Sequence, residues 1–209
     1  MGKDPTPAAR EGLQRLEAFS DGVIAIIVTI MVLELKLPDQ LLHANRSFNI
    51  WTELFVPLAP NLIAYVLSFF VVAVMWLNHK SLVDNLTRTS HGVVVINMVL
   101  LFFMSLIPFV THLVGETRAQ APGVALYGAL LLACSLAFAA MRRQVTRQTT
   151  EAVLLARQRR LRLRSRVGIV IYILAIPLAF VSPWLALAAY AFVPMLFFLP
   201  QLLGGEGAG

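Results

Sequence analysis

From Phe19 to Leu37 the sequence reads FSDGVIAIIVTIMVLELKL: a Ser-Asp-Gly head, then almost only Ile, Val, Leu, Ala and Met, with one hydroxyl at Thr29. An apolar run of this length commits the chain to a bilayer, where backbone polar groups must be satisfied within the segment, so it predicts a membrane helix. Asp21 at its head is the costly residue. A carboxylate inside a span costs roughly 3 kcal/mol on insertion scales, and more without partners. The pattern therefore predicts a helix with a polar anchor at one end, held by buried hydrogen bonds, and an oily body.

Further runs of similar character follow. With 58% hydrophobic and 13% charged residues the chain lies far from a soluble domain. The runs predict helices at about 19–37, 56–77, 92–113, 122–141, 167–181 and 184–203, an all-α polytopic membrane protein built as one six-helix unit over residues 1–209. The last two share an apolar stretch broken at Ser182-Pro183. A hairpin is expected there, because Pro177, Pro183, Pro194 and Pro200 would kink a single long helix repeatedly. Pro57 and Pro60 open the second helix, Pro122-Gly123 opens the fourth, and Pro108 predicts a kink in the third. No internal repeat is evident.

Six spans put both termini on the same side as segments 78–91 and 142–166. That side holds 14 of the 17 Lys and Arg, which predicts cytoplasmic termini in a multi-pass protein of the cell membrane. The N-terminus lacks an apolar stretch ending in a small-residue cleavage site, so the first helix is expected to serve as the anchor. The arginine-rich segment Arg157 to Arg166 resembles a nucleic-acid patch in isolation. Directly before a span, it reads as a topology anchor touching anionic lipid headgroups within 142–166, with no nucleic acid as partner. Residues 144–156 are helix-compatible and extend the fourth helix on this reading. Cys134 is the one cysteine; inside an apolar run it reads as a packing residue.

On a helical wheel of about 100° per residue with Ile26 at zero, Ile30, Leu33 and Leu37 fall within about 40°, and Thr29 at about −60°. Ser20 and Asp21 lie on the far side, at about 120° and −140°. The stripe alone fits packing on lipid or on a neighbouring helix as well as it fits a pore face. At the depth of Asp21, the second and third spans offer Trp76, Asn78, His79, His91 and Asn97. A hydrogen-bonded cluster of Ser20, Asp21, Asn78 and His79 would satisfy the carboxylate; a wetted loop at Asn78 and His79 is the plainer alternative. Asp with His also admits a proton relay. There is no nucleophile motif and no metal-ligand spacing, and neither enzymatic activity nor a cofactor is expected.

Arg15-x-x-x-Phe19-Ser20-Asp21-Gly22 at the head of the first span, with Trp76-x-Asn78-His79 at the end of the second, resembles the endolysosomal potassium channel family of transmembrane proteins in its bacterial branch. The resemblance extends over the whole chain through span number, size and motif placement. It implies a homotetramer of six-helix units around a pore lined by first helices. Carried over by position, the hydrophobic constriction falls on Ile26, with Ile30 and Leu33 as further pore-facing positions and Thr29 as a pore-side hydroxyl. Arg15, Phe19, Ser20, Asp21, Trp76, Asn78 and His79 form the structural polar cluster. Some members carry a serine just before the constriction, where this chain has Ala25, which removes one polar ring.

The function implied is a potassium-permeable cation channel gated by the width and wetting of aliphatic rings, with permeating potassium as its only metal. Glu34, near the far end of the first helix, either raises local cation concentration or is a solvated helix end. Two rivals stand beside this reading. One is a proton- or cation-coupled secondary transporter using Asp21 and His79, against which the uninterrupted first helix argues. The other is a non-conducting scaffold, which the short loops argue against.

Overall fold

The computed structural model describes residues 7–35, 49–148 and 152–202. The fold is all-α: the described residues are almost entirely helical, with no strand among them. Helix α1 spans Pro7–Met31 and tightens into a 3-10 turn at Val32–Glu34. A π-helical turn at Ile50–Phe55, capped by the Asn49 side chain, leads into α2 (Val56–Val83). Then follow α3 (His91–Ser105), α4 (Ile107–Glu116), α5 (Ala121–Gln148), α6 (Ala152–Leu178) and α7 (Pro183–Leu202). By length and composition, Arg10–Glu34, Ile50–Val83, His91–Glu116 and Ala121–Gln148 are each able to cross a membrane. Pro183–Leu196 is a shorter apolar helix.

The helices overrun the apolar segments that predicted them. α1 starts at Pro7 and not near residue 19, because residues 7–18 are mostly strong helix formers behind a proline suited to a first helical position. Its regular part ends at Met31, and residues 36–37 of the expected span lie outside the described residues. α2 continues six residues past 77, so Asn78 and His79 stand in a helix and not in a wetted loop. The segment 142–166 is largely helical: α5 runs to Gln148 and α6 begins at Ala152. The expected helical extension over 144–156 is thus present on both sides of residues 149–151, which lie outside the described residues.

The kink expected at Pro108 is a full break. α3 ends at Ser105 and α4 begins at Ile107, with Leu106 between them. Pro108 has no N–H for the Met104 carbonyl, and two hydroxyls bond back onto the backbone on either side: Ser105 Oγ donates to the Phe102 carbonyl at 2.8 Å, and Thr111 Oγ1 lies 2.7 Å from the Ile107 carbonyl. Both effects bend helices. The hairpin expected at Ser182-Pro183 forms, with α7 starting at Pro183.

α1 packs against α2, α3 and α4; α5 packs on α3, α4 and α6; α7 closes on α6 and α2. Between membrane helices, close backbone approach and steric fit stabilise more than hydrophobicity. Gly128 fits this rule, since a Cβ there would run into the Tyr190 ring and hydroxyl. Gly115 likewise sits under Asn61, whose Oδ1 and Cα a Cβ would strike. Cys134 is fully buried and free. The α4–α5 turn closes as a Schellman motif, with Ala119 N–H on the Val114 carbonyl at 2.8 Å and Arg118 N–H on the Gly115 carbonyl at 3.0 Å. It does so without glycine: Arg118 and Ala119 hold φ of 49° and 58°.

Candidate functional site

α1 has two unlike faces. Leu16, Ser20, Ile24, Ile27 and Met31 are buried against the other helices. Ile26, Ile30 and Leu33 are 58%, 42% and 73% exposed, and Phe19 is 53% exposed. The exposed face is the stripe centred on Ile26, so the protomer leaves its aliphatic stripe uncovered. Thr29 lies on the same face, and its Oγ1 donates to the Ile26 carbonyl at 2.9 Å. That bond occupies the hydroxyl proton and leaves the oxygen lone pairs pointing off the helix, as acceptors.

The middle of α1 is held by two separate sets of hydrogen bonds. In the first, Trp76 Nε1 donates to Asp21 Oδ1 at 2.9 Å. Lys80 Nζ stands 5.9 Å from the centroid of the same indole. The second set is a chain of fixed direction. The Leu16 carbonyl can only accept, so Ser20 Oγ donates to it at 2.8 Å. Ser20 Oγ then accepts from Asn97 Nδ2 at 2.9 Å, which turns Asn97 Oδ1 toward His79 Nε2 at 2.8 Å. His79 therefore donates through Nε2, and its Nδ1 is buried with no hydrogen-bond partner. Ser20, Asn97 and His79 are all fully buried.

The C-terminal end of α1 is held differently. His112 Nδ1 on α4 lies 3.1 Å from Glu34 Oε2, both side chains about one quarter exposed. The two atoms lie within ion-pair distance, without the alignment of a hydrogen bond. Beneath this pair a cavity of about 370 Å³ separates Ile26, Ile27 and Ile30 of α1 from Ser105, Pro108 and Phe109 at the α3–α4 break.

Not every expected member of the polar cluster joins it. Arg15 and Phe19 are exposed, because helical register puts both on the open face with Ile26 and Leu33. Asn78 stays out as well. With α2 helical through this stretch, one residue turns it about 100° from His79, into a small cavity with Ser135 and Arg142 of α5 and Tyr172 of α6. Its place is taken by Asn97, whose signal was a lone amide one turn inside the apolar third span. Glu34, expected as a solvated end or a cation attractor, has a histidine partner. A second polar group had no sequence signal: Ser68 Oγ lies 2.9 Å from Tyr127 Oη and 2.7 Å from Thr111 Oγ1, joining α2, α5 and α4. Among the described residues no three His, Cys, Asp or Glu side chains converge.

Comparison with known proteins bears on what this arrangement is. The family described as endosomal/lysosomal potassium channel TMEM175 matches residues 15–108, which hold α1 to the α3–α4 break. A protein named as a potassium channel in Chryseobacterium sp. (strain P1-3) is 33% identical over 187 residues, 90% of this chain and 93% of that one. Another so named, from Streptomyces collinus, is 32% identical over 195 residues, 90% of this chain and 92% of that one. The crystal structure of a lysosomal potassium-selective channel TMEM175 homolog from Chamaesiphon minutus superposes with a TM-score of 0.77 at 28% identity, over 90% of this chain and 96% of that one. Matched nearly end to end by relatives of this kind, the chain belongs to the TMEM175 potassium channel family.

Proposed function

We propose that the chain is a potassium-permeable cation channel of the cell membrane, assembled as a homotetramer whose four α1 helices line the pore. The observation that carries this reading is the uncovered aliphatic stripe of α1, which no helix of its own protomer shields. Four such stripes facing a common axis give rings of Ile26, Ile30 and Leu33. A narrow aliphatic ring expels water and stops ions; a small outward shift of four helices rewets it. Thr29 adds four oxygens whose protons are already committed to backbone, leaving lone pairs for a partly dehydrated cation. Asp21, Trp76, Ser20, Asn97 and His79 hold the helix in place and are not ion ligands. On this reading each protomer is a single six-span unit, α6 and α7 supplying the last two spans, with both termini cytoplasmic and the arginines of 142–166 on anionic headgroups. The family match favours this over the coupled transporter built on Asp21 and His79, and the two positions sit in separate hydrogen-bond sets.

Purified protein in liposomes under a potassium gradient tests the proposal. The expected result is passive, gradient-driven potassium flux that does not saturate at low millimolar concentration. Flux that needs a second, stoichiometric ion gradient would favour the transporter.

A further inference from the structure

We infer that His112 is a positioning residue for the pore helix: paired with Glu34, it holds the C-terminal half of α1 back against its own protomer and so keeps the Ile30–Leu33 level of the path wide. The inference rests on the channel reading above and adds to it a residue on another helix that sets the opening.

Three features of the structure combine. First, α1 is gripped at two levels by different rods. Asn97 holds Ser20 from α3, whereas His112 holds Glu34 from α4. Second, those rods are not one helix. The break at Leu106, enforced by Pro108 and the back-bonded Ser105 and Thr111, lies between the two grips. The C-terminal grip is thus set by the placement of α4 and not by the girdle around Ser20. Third, space remains beside the helix where it spans between its grips. The cavity of about 370 Å³ at the break lies between Ile26 and Ile30 of α1 and the start of α4, so little packing besides the Glu34–His112 contact ties this stretch of α1 to α4.

The direction of the effect follows from helical register. Glu34 lies about 80° from Ile26 on the wheel, toward the buried face of Ile27 and Met31 and away from the open stripe. A pull from His112 therefore draws the C-terminal half of α1 toward its own bundle, away from the axis that four stripes would share. Without it, the four ends lean inward and the aliphatic rings narrow. A second reading of Glu34, as a free carboxylate that concentrates cations, predicts the opposite for its partner. Removing His112 would then unmask the carboxylate and raise flux.

Full-length protein in liposomes and in planar bilayers distinguishes these, with Glu34→Gln, His112→Gln, the double variant and the exchanged pair Glu34→His/His112→Glu. Glu34→Gln and His112→Gln are each expected to lower potassium flux about threefold (about 0.7 kcal/mol at 1.4 kcal/mol per decade). The loss should lie in open probability, with unitary conductance unchanged. The double variant should fall no further than either single one. The exchanged pair should recover most of the loss. Oligomer mass should stay that of the wild type throughout. Where His112→Gln does not assemble, the exchanged pair decides: assembled but poorly opening, it overturns the inference. A conducting wild type with His112→Gln equal to it or faster also overturns it. A wild type that passes no potassium overturns the channel reading and this inference with it.

Discussion

At the scale of single residues, the stripe on α1 sets the sharpest expectations. Ile26 is more than half exposed in the protomer, so its replacement has little of the core to disturb. Ile26→Asn puts four amides where the proposal has four butyl groups. A polar ring stays wet at widths that dry an aliphatic one. Potassium flux into liposomes should rise severalfold with weaker discrimination among monovalent cations, while oligomer mass stays the same. Unchanged flux and selectivity would move the constriction away from Ile26. Thr29→Val keeps the β-branched shape and removes the oxygen. Reversal potentials in mixed potassium and sodium should shift, with assembly unaffected. Asp21 was legible from one line of sequence, because a carboxylate at the head of an oily run demands partners. Asn78 was misjudged because its role depends on whether α2 stops at 77 or runs to Val83, and each further residue of helix turns a side chain about 100°.

Elements add what residues alone do not determine. Polar groups of α1, α2 and α3 meet in two sets, and this division predicts how substitutions combine. His79 and Asn97 share a bond, so removing either strands the other at roughly 1–3 kcal/mol. His79→Ala and Asn97→Ala should each lower the melting temperature of the oligomer, and together cost clearly less than their sum. Asp21→Ala acts through Trp76 instead, and with His79→Ala should come close to additive. Strong coupling between Asp21 and His79 in that cycle would merge the two sets and revive a relay. Glycine contacts belong to this scale as well. Gly128→Ala pushes a methyl into Tyr190 where α5 meets α7, and overpacking of this kind costs about 1–3 kcal/mol. Its melting point should drop with flux per surviving oligomer unchanged. The glycine contacts were not legible beforehand, since small residues inside an apolar run look alike until the neighbouring helix is in place.

The whole molecule explains why the sequence foretold the architecture better than the contacts. Apolar length is summed over many residues, so errors of a few positions at each helix end leave the all-α membrane class intact. The Ser68–Thr111–Tyr127 group and the Glu34–His112 pair each join residues more than 40 positions apart, and no local pattern announces such a meeting. Phe19, Ile26, Ile30 and Leu33 form a single exposed apolar face on α1. Lipid covers such a face at no cost, so exposure in the protomer does not by itself require a partner. Thr29 puts a polar oxygen on the same face, which suits a path for ions better than a lipid boundary. Mass measurement of the particle in mild detergent should therefore give four copies of the 23.1 kDa chain. Spin labels at residue 26 should report distances across a fourfold axis and accessibility to a polar relaxing agent in preference to oxygen. A monomer in every mild detergent, or a residue-26 label reached mainly by lipid-soluble oxygen, would turn the stripe outward to lipid and remove the pore from α1.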